Sequence, residues 1–136
     1  MPHPDNFDFW CAQLADKLFQ SLQANEKAEN HVQKSMGILQ EDGLYAFAVF
    51  QDYRASYGGG VIKNELQTFL SQNPVGNLLG LPDTPASDFL SLCRTITGQT
   101  LDRLFLARDL ILRILVYVYY HLRASSKTSG DLSEED

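Results

Sequence analysis

Residues 101 to 123 read LDRLFLARDLILRILVYVYYHLR, and this stretch decides the fold. At about 3.6 residues per turn, Leu104, Ala107, Leu110, Ile111, Ile114, Leu115, Val118 and Leu122 share one helical face. Tyr117, Tyr119 and Tyr120 carry the apolar surface round toward the back. A helix apolar over so wide an arc requires neighbours on several sides. Arg108, Asp109, Arg113 and His121 interrupt it before it reaches the ~18 to 20 uninterrupted apolar residues of a bilayer span. The expectation is the central helix of a soluble bundle.

The segments upstream supply its partners. Phe7, Trp10, Cys11, Leu14, Leu18 and Leu22 form one apolar stripe, for which Asp5 is the expected cap. Asn25 restarts a helix over residues 26 to 40, with Ala28, Val32, Met36 and Leu39 inward. Residues 44 to 54, LYAFAVFQDYR, have an ambiguous period: Tyr45, Phe47 and Val49 alternate as in a strand, but the length, the alanines and the lack of a partner strand favour a buried helix. Tyr57-Gly58-Gly59-Gly60 reads as a flexible connection. Residues 61 to 72 give another amphipathic helix through Ile62, Leu66 and Leu70. Val75 to Pro82 reads as an apolar loop or single turn, and Thr84-Pro85 as the cap and first position of a helix through Phe89, Leu92, Cys93 and Ile96. The sum is an all-α, single-domain bundle of about six helices with a long central C-terminal helix.

Seventeen acidic against eleven basic residues give a net charge of −6. Residues 124 to 136 hold one lysine and four carboxylates, half of that excess. This polar segment has too little apolar surface to offset its ordering entropy. The expected organisation is therefore a helical domain over residues 1–124 and an acidic disordered tail over 125–136. Cys11 and Cys93 fall among apolar helix positions and read as reduced core thiols. With no basic region or apolar run ahead of a cleavage site near the start, the expected location is cytoplasmic.

No constellation for catalysis is visible. His3, His31 and His121 lie in separate segments without metal-ligand spacing, so no metal is expected. The triple glycine is followed by Val61-Ile62-Lys63-Asn64, which fits neither a phosphate-binding loop nor a dinucleotide fingerprint, so no cofactor is expected either. No nucleophile and base are brought together by spacing alone, and the expectation is a protein that is not an enzyme. Arg108, Arg113 and Arg123 share a broad back face of the last helix with Tyr119 and Tyr120. Such a face can stack bases and hold a phosphate backbone, or its arginines can pair with Asp102, Asp109 and carboxylates of neighbouring helices.

The stretch Gln40-Glu41-Asp42-Gly43-Leu44-Tyr45-Ala46-Phe47-Ala48-Val49-Phe50, together with Leu101 to Ala124, resembles the small helical subunit of the type III-B (Cmr) CRISPR RNA-guided effector complex, or the equivalent small subunit of another CRISPR subtype. Members carry a Gln-x-Gly-Leu-x-x-Ala-Leu/Phe-Ala-Phe type of motif; this chain has one residue more between Gln and Gly. The resemblance implies a non-catalytic subunit of an antiviral effector complex, stacking with copies of itself and with other subunits, holding guide RNA and its paired target, and without a membrane. On that reading the expected RNA contacts are Lys34, Arg54 and Lys63, which flank the helix beginning at Gly43 and can gather at one bundle edge, with Arg108, Arg113 and Arg123 beside Tyr120 as the competing surface. Family members present a basic face, whereas this chain is acidic. The alternative is a helical protein-protein interaction adaptor with no nucleic-acid role.

Overall fold

The computed structural model describes residues 6 to 130, with side chains through Ser125. It is all-helical, with no strand among the described residues. In chain order come α1 (Phe7–Leu22), α2 (Ala28–Asp42), α3 (Leu44–Tyr53), a single 3-10 turn (Ala55–Tyr57), α4 (Gly59–Ser71), α5 (Val75–Leu78), α6 (Phe89–Thr97) and α7 (Leu101–Gly130).

α7 is the axis. Ala107, Leu110, Ile111, Ile114, Leu115, Val118 and Leu122 are buried against α1, α2 and α6. Each aliphatic side chain removed from water there contributes about 1.5 to 3 kcal/mol before entropy is set against it. α2 runs antiparallel to α7, with Gln40 beside Arg108 and Glu29 beside Arg123. α3 packs on α2, α4 and α6 as a second layer. α7 continues to Gly130, into the stretch whose composition reads as a tail; residues 131–136 lie outside the described residues. No helix among the described residues is long and apolar enough to cross a membrane.

The ambiguous segment over 44 to 53 is helical. Phe47 is fully buried while Tyr45 and Val49 are 41% and 44% exposed. Strand alternation would have placed all three on one face. Gly43, at φ 97°, ends α2 and starts α3, a backbone shape that an L side chain resists.

Three boundaries differ from the sequence reading. Asn6, whose side chain accepts from the Phe9 amide at 3.0 Å, caps α1; Asp5 lies outside the described residues. α6 opens at Asp88, which accepts from the Ser91 amide at 2.8 Å, rather than at Thr84-Pro85. The carbonyl of Ala86 is already held by Gln67 of α4 at 3.2 Å, so that backbone serves a tertiary contact. The glycine run is no flexible linker. Gly58 closes the 3-10 turn at φ 117°, and Gly59 begins α4. A Cβ on Gly59 would overlap the Gln51 carbonyl oxygen and stand 2.9 Å from that of Arg54.

Both thiols are buried and free. Cys11 donates weakly to the Leu110 carbonyl at 3.8 Å, and burial pushes its pKa up to about 12. Burial also raises the pKa of Cys93 strongly.

Candidate nucleic-acid interface

The end of α3, the 3-10 turn and the start of α2 meet at one end of the bundle. Asn25 ties the α1–α2 connection to the turn by donating to the Ser56 carbonyl at 3.1 Å. Its side-chain oxygen accepts from the Lys27 amide at 3.0 Å. This backbone frame sets a ladder of rings and cations. The Arg54 guanidinium lies 4.6 Å from the Tyr53 ring centre and 4.8 Å from that of Tyr57, and the Lys27 ammonium sits 5.0 Å over the other tyrosine of the pair, Tyr57. Phe50 continues the ladder inward, 6.5 Å from Tyr53 and stacked on His31 at 5.1 Å. Tyr53 is 71% exposed, so one tyrosine face is available to a planar ligand. Cation–π contacts hold the long side chains of Arg54 and Lys27 without neutralising them.

Beneath the ladder is a buried polar cluster joining α2 to α3. His31 Nε2 donates to Gln51 Oε1 at 2.7 Å, because that oxygen can only accept. Gln51 Nε2 donates to Ser35 Oγ at 2.9 Å and to the Phe47 carbonyl at 3.3 Å. This tautomer leaves His31 Nδ1 as a buried lone pair with no partner. Protonating it would bury a cationic N–H without an acceptor. Burial is the largest cause holding the His31 pKa below its ordinary value; the Gln51 bond opposes the shift and nearby Arg54 adds to it.

The sign for stability follows from linkage. The folded protein binds this proton less readily than the unfolded chain, so the full contribution is present above pH ~6.5 and is lost as the pH falls through the folded value. Urea denaturation across that window should show wild-type stability falling by up to about 1.4 kcal/mol per pH unit more than that of a His31→Asn chain. Parallel pH profiles for the two chains would show that His31 is not the group responsible.

The six basic residues singled out in the sequence divide unequally. Arg54 is in the ladder. Lys34 is exposed on α2, seven residues on from Lys27 and three from His31, and therefore on the ladder's side of that helix. Lys63 instead pairs with Asp52 at 2.7 Å on the α4 side of α3. The second group divides between two neighbours, Arg108 and Arg123 turning toward α2 and Arg113 toward α1. Arg108 donates to the Gln40 carbonyl at 3.4 Å. Arg113 turns to Asp109 at 3.3 Å and Asp8 at 3.7 Å, and Arg123 to Glu29 at 3.1 Å. Two of these three are thus matched to carboxylates, and Tyr120 stands 65% exposed apart from any of their ion pairs.

Lys27, Tyr53 and Tyr57 are absent from the sequence-based set. The available signal was the pair of tyrosines four apart, flanking Arg54. Among the described residues no group of three His, Cys, Asp or Glu side chains is placed to hold a metal ion. A groove of about 410 Å³ between α1, α4 and α5 is lined by Trp10, Leu14, Phe69 and Val75, with Lys17 and Glu65 paired at 3.2 Å beside them. Comparison with protein-family models, with curated proteins and with solved structures finds no match to this chain.

Proposed function

We propose that this protein is a non-catalytic helical subunit that holds a single RNA strand within an RNA-guided effector complex of the kind its motif resembles. The observation that carries this reading is the ladder of Tyr53, Arg54, Tyr57 and Lys27, extended along α2 by Lys34. Unpaired bases stack on aromatic faces while adjacent cations follow the backbone, and such a surface tolerates any base sequence. Of the carboxylates on these elements, Glu29 and Asp52 are already paired with Arg123 and Lys63. Glu26 adjoins Lys27 and Glu41 and Asp42 lie at the far end of α2, so near the ladder Lys27, Lys34 and Arg54 stand against that one further carboxylate. The weak field of the whole molecule makes binding dependent on an assembly that adds further cations.

The experiment separates charge from stacking. In the assembled complex, replacing Lys27, Lys34 and Arg54 together with alanine should weaken RNA binding equally across sequences and flatten the log–log salt slope by about 2. Tyr53→Ala should weaken it by about 1 to 3 kcal/mol while leaving that slope in place. Wild-type affinity and slope in both variants would refute the assignment of RNA to this surface.

A second reading, an interaction adaptor, is favoured by the exposed row Tyr45, Val49 and Tyr53 at four-residue spacing on α3. Under it, Val49→Asp releases a protein partner and RNA affinity does not change.

A further inference from the structure

α7 has one edge that the bundle leaves uncovered. Leu101, Phe105, Arg108 and Leu112 follow one another at spacings of four, three and four, the period that lays side chains along a single seam of a helix. Leu101 and Phe105 are exposed, and Arg108 and Leu112 are half-buried. Leu39 and Gln40 of α2 form the other bank of a groove of about 300 Å³, which Asp109 also lines. A furrow of this kind between two packed helices has the shape that a third helix fills.

The chemistry of Arg108 specifies what that helix must bring. Its Nε is buried without an acceptor, and the one oxygen that the guanidinium reaches among the described residues is the Gln40 carbonyl, at 3.4 Å. The Phe105 ring, 5.9 Å from the guanidinium carbon, supplies a cation–π contact but no acceptor. The other arginines of α7 are better matched: Arg103 donates to Gln99 at 2.8 Å, Arg113 to Asp109 at 3.3 Å and Arg123 to Glu29 at 3.1 Å. Asp109, the carboxylate in the groove, is therefore engaged by Arg113, and no carboxylate among the described residues pairs with Arg108. A guanidinium held half out of water without a counter-charge is unfavourable, and the group that fits its planar fork is a carboxylate.

We infer that the α2–α7 seam is a docking site for an amphipathic helix of another protein, whose apolar stripe packs on Leu101, Phe105 and Leu112 and whose side-chain carboxylate pairs with Arg108. A second copy of this chain is the poorer fit. Two-fold pairing sets the same patch against itself, and because the stripe holds no carboxylate, Arg108 would stay unmatched. The seam is also distinct from the ladder of Tyr53 and Tyr57. Gln40 lies ~20 Å along α2 from Lys27 at about 1.5 Å per residue.

Synthetic helical peptides of about fifteen residues serve as the partner, each with leucine at three positions of a four-three-four stripe and glutamate at one of the two inner positions, so that the pair covers both helix orientations. Control peptides carry glutamine in place of glutamate. By fluorescence anisotropy, one glutamate peptide should bind the full chain about tenfold more tightly than its control. Arg108→Met, which keeps the aliphatic stem, should abolish that preference, and Phe105→Ala should weaken both peptides. The Arg108→Met chain should also unfold at a urea concentration no lower than wild type, because it loses a half-buried charge that the free chain leaves unmatched. Equal affinity for glutamate and glutamine peptides, or no saturable binding by any of them, overturns the docking site. A preference that survives Arg108→Met overturns it as well, and so does a lower urea midpoint for that variant, which would mean that the free chain already satisfies the guanidinium. Self-association of the chain that Phe105→Ala abolishes would give the seam to a second copy instead.

Discussion

Alanine at position 59 is expected to destabilise this protein by about 3 kcal/mol, the largest effect of any single methyl group added to it. The reason is contact. A Cβ there meets the carbonyl oxygens of Gln51 and Arg54, which are backbone and cannot swing aside. Gln51 is in the last turn of α3 and Arg54 caps its end, so relief would require α4 to move away from α3 and open the buried cluster of His31, Ser35 and Gln51. Two other glycines serve as controls. At Gly60 the nearest atom to an added Cβ is 3.4 Å away, an ordinary contact, and Gly60→Ala should be close to neutral. Gly37 is exposed within α2 with nothing near it, so Gly37→Ala should stabilise by about 0.5 to 1 kcal/mol through helix propensity. Urea midpoints at constant m-value give the three differences directly. A loss at position 59 no larger than that at position 60 would mean that the α3–α4 approach is looser than drawn.

Truncating Ile114 to alanine should cost about 2 to 5 kcal/mol. Ile114 is fully buried, with Ile111, Leu115 and Val118 equally enclosed around it, where α7 meets α1 and α2. A cavity there cannot collapse without moving the helix that organises the bundle. Phe105 lies on the same helix but is 52% exposed, and Phe105→Ala should change stability by less than about 1 kcal/mol. Equal losses at the two positions would show that α7 is not clamped along the face that its sequence marks out.

That face was legible because a repeat of nonpolar residues over six turns has only one helical solution, and the structure buries Ala107 through Leu122 as the period requires. α1, α2, α4 and α6 were legible for the same reason. What the sequence could not display was proximity across the chain. Gly58 to Gly60 have the composition of a linker, and only the approach of the Gln51 carbonyl makes Gly59 a packing residue. Thr84-Pro85 satisfies the cap-and-proline rule, yet Gln67 takes the Ala86 carbonyl and the helix begins at Asp88.

The candidate interface was half visible. Lys34 and Arg54 were identifiable as charges near the motif, but Lys27 and Tyr57 join them only because Asn25 binds the turn at Ser56. Arg113 and Arg123 looked like members of a common face because helical position alone says nothing about Asp8 and Glu29, which lie far away in sequence and adjacent in space. Charge pairing between helices is decided by tertiary geometry, which turns Arg113 and Arg123 toward carboxylates while Arg54 stands against two tyrosine rings.

The two enclosed thiols make the protein its own clock for disassembly. Alkylating reagents consume thiolate, and at neutral pH a thiol with a pKa of about 12 supplies only ~1 part in 100,000 of it. Labelling of the native protein therefore waits on opening. Cys11 sits against the Leu110 carbonyl, so its labelling rate times the parting of α1 from α7, while Cys93 times the release of α6. Mass spectrometry of the two peptides from one sample orders those events without an introduced probe. A fast Cys93 with a slow Cys11 describes a bundle that sheds its second layer while the axis stays closed, and equal rates describe one that opens all at once.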